Sequence, residues 1–246
     1  MLTRKFLWSA LIILIILLFP GCESDDNGTS SSSKTPAPPT FSLKSMQLPA
    51  YLEASSNQDA QELKECIANA QNLEFYGCCF DAPAAEQNVE KSYTEPEWTL
   101  EWEENGLQKQ LKITDQNERV SWEMYLTGTF KNTSVTDWLR MEAIQRKDRS
   151  NGHATLYKTG TSSINYEWIW YSFETGEYKL IRNCFHEEQT KIIITLQADH
   201  SGTVEIQGLN SKGVLEVKTR YIWYVNGKGE WWTYEDAAQT NHGVWG

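Results

Sequence analysis

From Glu97 onward apolar and polar residues alternate with period two, broken at short intervals by turn residues. That pattern permits little besides antiparallel β-structure, because successive side chains of a strand point to opposite faces. Trp98, Leu100 and Trp102 alternate with Glu97, Thr99, Glu101 and Glu103, and Asn105-Gly106 supplies a hairpin turn into 107–114. Val120, Trp122, Met124 and Leu126 alternate with Ser121, Glu123, Tyr125 and Thr127. Further runs follow at 135–146, 152–158, 163–173, 177–185, 190–198, 202–208, 214–225 and 229–235. Short connections such as Asn226-Gly227 and Ser201-Gly202 favour neighbours that run antiparallel. The expected fold is mainly β: an antiparallel meander of about ten strands, curved or closed, with one N-terminal helix packed on it.

The helix is expected where Ser56 and Asp59 form a capping-box pattern. Ala60, Leu63, Ile67 and Ala70 recur beyond it at helical spacing, with Cys66 beside that face and an end near Asn72. Some strands are apolar on both sides. Ile164, Tyr166, Trp168 and Trp170 share one face, while Ile169, Tyr171 and Phe173 occupy the other, and Ile192-Ile193-Ile194 reads the same way. Such strands ask for cover on both faces.

Part of the meander repeats. Trp168-Ile169-Trp170-Tyr171 with Gly176-Glu177-Tyr178 recurs 53 residues later as Tyr221-Ile222-Trp223-Tyr224 with Gly229-Glu230-Trp231. Five of eleven positions match, and the matches include aromatics. Gly152-His153-Ala154-Thr155-Leu156 likewise resembles Gly202-Thr203-Val204-Glu205-Ile206. The two copies span about 152–180 and 202–233 and indicate an internal duplication.

The first forty residues have a different character. Arg4 and Lys5 precede an apolar run from Phe6 to Pro20, the layout of a secretory signal and short for a membrane-crossing helix. Leu18-Phe19-Pro20-Gly21-Cys22 resembles the bacterial lipobox, with Phe19 where that motif prefers Leu. The resemblance implies a lipoprotein: residues 1–21 are removed as signal peptide, and Cys22 is acylated with palmitate-type chains and held in a membrane. Residues 22–40, rich in Ser, Pro and acidic side chains, then read as a disordered tether. Residues 41–246 remain as a single β-rich domain, lipid-anchored in the bacterial cell envelope on its periplasmic or outer surface, not cytoplasmic.

Loss of residues 1–21 removes two basic residues and no acidic ones, leaving 20 basic against 33 acidic and a formal charge of −13. That sign argues against nucleic-acid binding, which needs a basic surface, and against adhesion to anionic lipid. Four cysteines besides Cys22 suggest two disulfides in an oxidising compartment, Cys78 and Cys79 each joining one of Cys66 and Cys184. They lack the CxxC spacing of a zinc site, so no metal and no cofactor are expected.

Signals for catalysis are weak. His186-Glu187-Glu188 reads as a polar loop and Asp199-His200-Ser201-Gly202 as a turn, since contiguous triad residues cannot converge. His153 and His242 have no carboxylate patterned around them, and no nucleophile-elbow, zinc-protease, phosphate-loop or dinucleotide motif occurs. No catalytic residue and no enzyme are expected. Of the aromatic residues, Trp98, Trp102, Trp231, Trp232 and Tyr234 are the ones to consider for stacking on a ligand, with core packing as the competing role. The expected function is a non-catalytic binding or interaction module whose partner is an envelope glycan, protein or lipid. A carrier or sensor of an apolar lipid in a curved β-sheet cavity is the alternative, resembling periplasmic lipoprotein carriers in element order; a hydrolase is a distant third.

Overall fold

A computed structural model describes residues 37–43, 46–73, 80, 82, 90–91, 97–186 and 188–246. The signal segment, Cys22, Cys78, Cys79 and Glu187 lie outside the described residues. The described residues form thirteen strands, eleven of them from the period-two segments. These are β1 (Glu90–Lys91), β2 (Glu97–Glu104), β3 (Leu107–Gln116), β4 (Arg119–Phe130), β5 (Thr133–Arg146), β6 (Asn151–Tyr157) and β7 (Ile164–Ser172). They continue as β8 (Tyr178–Cys184), β9 (Thr190–Leu196), β10 (Gly202–Leu209), β11 (Leu215–Trp223), β12 (Gly229–Glu235) and β13 (Ala238–Trp245). All pair antiparallel in chain order, twelve full strands and the two-residue β1 in one meander.

The sheet is not closed: among the described residues β1 pairs with β2 alone and β13 with β12 alone. The expectation of about ten strands is also exceeded. The alternation misses β13 because Ala238 to Val244 bury almost nothing and only Trp245 turns into the core. Two-residue turns join several strands. At Asn105-Gly106, Lys131-Asn132 and Asp236-Ala237 both residues have positive φ, the conformation whose twist matches that of flanking strands. Register shifts in β4–β5, β6–β7, β10–β11 and β12–β13 bend the ladder locally.

One face of the sheet, here the inner face, holds the core. Trp98, Leu100, Leu111, Ile113, Trp122, Met124, Met141, Ala154, Trp168, Trp170, Leu180, Ile194, Val204 and Trp223 all lie there, each no more than 4% exposed. Two helices cover it, α1 (Ala50–Ala54) and α2 (Gln58–Ala70), where one was expected. Asn57 caps α2, its Oδ1 accepting from the backbone N–H groups of Asp59 (2.8 Å) and Ala60 (3.3 Å). The Ser56 capping box is therefore replaced by a cap one residue later, where the side chain faces the free N–H groups. Ala60, Leu63, Ile67 and Ala70 are the buried stripe, as their spacing predicts.

Helix and strap are pinned by polar contacts to the inner face. Trp168 Nε1 donates to the Ala70 carbonyl (3.1 Å) and Arg182 Nη1 to that of Asn69 (2.9 Å). Residues 37–43 and 46–49 run across the same face as a strap. Trp122 Nε1 donates to Pro39 O (3.1 Å) and Gln145 Nε2 to Ser42 O (3.0 Å). Phe41 packs edge-on against Phe80 and Trp122, each 5.3 Å between ring centres, and against Trp170 at 6.1 Å. Residues Ala37–Gly246 form one compact unit.

The two expected disulfides are corrected at their described members, because Cys66 and Cys184 are free thiols. Cys66 packs against the core as a small apolar side chain. Burial pushes its thiol up to about 11, against the opposing pull of the Arg182 guanidinium. A thiol held neutral in this way is a poor nucleophile for exchange.

Candidate functional site

The outer face is polar toward β2 and carries a network of side-chain hydrogen bonds. Register places Lys112, Glu123, Glu142, Thr155, Glu167, Asn183 and Lys191 in one row perpendicular to the strands, each beside the next. Cross-strand neighbours on one face stand about 5 Å apart, close enough for their side chains to pair. Tyr157 donates to Glu142 (2.5 Å) and Tyr125 to Glu123 (2.9 Å). Glu167 accepts from Asn183 (2.6 Å) and meets His153 Nε2 at 3.0 Å. Lys112 Nζ stands 4.6 Å above the Tyr125 ring.

These contacts hold the tyrosines neutral. Burial, then the hydrogen bond to Glu123 and its charge, pushes the Tyr125 hydroxyl up to about 12. The Tyr157 hydroxyl is raised further by burial and by Glu142. Both remain donors across the physiological range, bound to carboxylates that retain free lone pairs for an incoming donor.

Beside this network the outer face opens into a depression of about 330 Å³. Glu101, Glu103, Gln108, Gln110, Tyr125, Thr127 and Asp137 line it, with Trp102 and Lys109 at the margin. The walls come from adjacent strands because Glu101 pairs with Gln110, Glu103 with Gln108, Gln110 with Tyr125, and Gln108 with Thr127. Asp137 reaches it through a local irregularity. Its backbone is left-handed (φ 48°), its N–H donates to Thr127 Oγ1 (2.9 Å), and the β4–β5 register shifts there. Gln110 donates to Glu101, and Lys109 pairs with Glu104 at the rim, holding that exposed carboxyl below its usual range. The arrangement offers one tyrosine hydroxyl, two primary amides and three carboxylates. That is hydrogen-bonding capacity for a neutral polyol or a cationic group.

The aromatic residues singled out from the sequence do not converge. Trp98 is buried in the inner-face core, 3% exposed. Trp102 lies at the same edge, its ring beneath Lys109 Nζ at 5.8 Å. Trp231, Trp232 and Tyr234 lie on β12, ten strands away in sheet order. Trp231 packs against the core and Trp232 stacks on His242, with ring centres 5.0 Å apart and planes 12° from parallel. Packing explains Trp98, Trp102 and Trp231; Trp102, 8% exposed, borders the depression only from within the core.

The histidines also differ from expectation. His186 Nε2 meets the Tyr166 hydroxyl (2.8 Å), and His200 Nδ1 meets the Gln47 carbonyl (3.1 Å). Asp199 accepts from Ser201 as part of the turn. Carboxylates instead meet the two histidines for which none was foreseen: Glu167 at His153, and Glu230 at His242 at 3.3 Å. Both are diagonal cross-strand pairs, which become visible only once the register of β6–β7 and β12–β13 is known. Among the described residues, no group of three His, Cys, Asp or Glu side chains is placed to hold a metal ion. In comparisons with known proteins, the chain matches no protein-family model and no curated protein sequence.

Proposed function

We propose that this chain is a non-catalytic binding module of the bacterial cell envelope, held at the membrane by lipid on Cys22. Its ligand site is the outer-face depression of β2–β5, and its ligand class is a hydroxyl-rich molecule such as an envelope glycan. The observation that carries this reading is the lining: Tyr125, two glutamines, Thr127 and three carboxylates in one open hollow. Planar acceptors bind pairs of vicinal hydroxyls. The anchor reading is supported by the charged and apolar opening of the chain and by the lipobox-like LFPGC stretch.

The alternative, an apolar-ligand carrier, needs space on the inner face. There the strap, α2 and the Phe41–Phe80–Trp122–Trp170 ring cluster already fill the surface. The binding reading is therefore favoured.

Isothermal titration of the mature chain with hexose and N-acetylhexosamine tetrasaccharides tests it. Saturable binding is expected for at least one tetrasaccharide. Tyr125→Phe should weaken it about five- to tenfold, because one hydrogen bond contributes ~1 kcal/mol. Glu103→Gln should weaken it by a similar factor. Binding that both substitutions leave intact, or no heat with any tetrasaccharide, overturns the reading.

A further inference from the structure

A second hollow, of about 170 Å³, opens on the outer face at the other end of β4, across β4–β7. Arg119, Arg146, Asn151, His153 and Tyr171 surround it, and Ile144 and Ile169 add apolar surface. Its chemistry is the reverse of the first. Three carboxylates line the β2–β5 depression, whereas no carboxylate lines this one. On a chain with 33 acidic and 22 basic residues, a hollow of that composition selects for negative charge.

Register brings these side chains together. Arg119 and Arg146 stand directly opposite in β4–β5, and Asn151 stands opposite Tyr171 in β6–β7. His153 is opposite Ile144 on one side and Ile169 on the other, its Nε2 held by Glu167 at 3.0 Å. Like charges directly opposite on one face destabilise a ladder. The nearby carboxylates offset this only in part. Glu118 and Asp148 lie 3.3 Å and 3.4 Å from Arg146, both more than half exposed, and exposed pairs contribute little. Arg146 Nε is shielded from solvent and makes no hydrogen bond among the described residues. In the adjoining turn Lys147 pairs with Asp115. Arg119 and Arg149 make no ion pair among the described residues.

An anion between Arg119 and Arg146 would relieve their repulsion, and the planar guanidinium fork matches the two oxygens of a carboxylate. The hollow is smaller than the roughly 300–1,000 Å³ of pockets that enclose a drug-sized ligand. It suits an acid of one ring or a short chain, whose apolar part meets Ile144, Ile169 and the Tyr171 ring, itself 41% exposed.

We propose that the β4–β7 hollow is a second binding site, for a small organic acid. Arg119 and Arg146 hold the carboxylate, and Ile144, Ile169 and Tyr171 take the apolar part. The site is separate from the β2–β5 depression and does not depend on what binds there.

The test is isothermal titration of the full chain in non-ionic detergent, against detergent blanks, with three probes. Benzoate carries both features, benzamide keeps the ring without the charge, and acetate keeps the carboxylate without the ring. Benzoate should bind at a single saturable site, at least tenfold more tightly than either of the others. Arg119→Gln should weaken it about tenfold, the lower end for a hydrogen bond to a charged group, with far-ultraviolet circular dichroism unchanged. Arg119→Lys should recover part of that loss, since it restores the charge but not the fork. No binding of benzoate overturns the proposal, as does an affinity matched by benzamide or acetate, or one that Arg119→Gln leaves intact. Benzoate should bind equally well with a tetrasaccharide present, and competition between the two would overturn the assignment of a separate site.

Discussion

Strands β6–β9 and β10–β13 are successive four-strand groups built on the same plan, and they solve one packing problem differently. In the first, Trp170 on β7 lies over Gly152 of β6; in the second, Trp223 on β11 lies over Gly202 of β10. Both indoles are fully buried. Trp223 Nε1 donates to the carbonyl of His200, two residues before its glycine, at 2.8 Å. Trp245 repeats the arrangement over Gly229, donating to Gly227 O at 3.0 Å. Trp170 Nε1 finds no acceptor among the described residues. The carbonyl it would use, that of Ser150, is taken by the backbone N–H of Ser172.

Strand length is the cause. β7 runs two residues past Trp170, whereas β11 ends at Trp223. The extra residues of β7 continue the ladder, and the Ser150 carbonyl accepts from Ser172 rather than from the indole. The same offset separates two glycines that the sequence repeat aligns. Gly176 is a turn residue with φ 90°, while Gly229 is the first residue of β12 and lies beneath Trp245. Equal residues in equal spacing thus carry different duties, because the hairpin that follows differs by one pleat.

The largest effect should come from removing what the two groups share. A methyl group at Gly152 or Gly202 would overlap the indole above it and the backbone carbonyl beside it. Gly152→Ala and Gly202→Ala are each expected to cost about 3 kcal/mol by urea denaturation, at the upper end for overpacking. A loss below ~1 kcal/mol at either site would break the parallel between the groups.

The hydrogen bond that distinguishes the groups should give a smaller effect. Trp223→Phe loses packing and an indole donor, leaving His200 O without that donor, whereas Trp170→Phe loses packing alone. The first is expected to cost ~1 kcal/mol more than the second. Equal losses would mean that the satisfied indole contributes nothing beyond its volume.

The mildest test uses pH. Burial first, then the nearby acidic groups, raises Tyr221 of the second group to about 12; Tyr125 and Cys66 are raised to about 12 and about 11. In each case the folded value lies above the unfolded one, so the fold favours the neutral form. That stability is complete below about pH 9 and is lost as pH climbs through 11 and 12. The urea midpoint should fall between pH 9 and 12, and Cys66→Ala should remove the earliest part of the fall. A midpoint that stays flat to pH 12 would contradict this placement of the three groups.

Much of the architecture is legible in the residues themselves. Alternation locates eleven of the thirteen strands, β2 to β12, to within a few residues and misses the two-residue β1 and the exposed β13, and the helical spacing at Ala60, Leu63, Ile67 and Ala70 identifies the buried stripe of α2. The candidate site is hardly legible. Glu101, Gln110 and Tyr125 are spread over three strands, and nothing in their local pattern distinguishes them from other solvated positions. His153 and Glu167 are fourteen residues apart and meet diagonally across β6–β7.

Local chemistry by itself determined the strands, the turns and the face each side chain takes, because backbone pleating and turn sterics act over a few residues. Tertiary structure alone decided which strands stand opposite at which register, and therefore which carboxylate meets which hydroxyl, imidazole or indole. It also decided that the sheet stays open, that Cys66 packs as an apolar side chain, and that Trp170 lacks the acceptor Trp223 has. Each of these depends on distances between residues far apart in the chain, which only the assembled ladder sets.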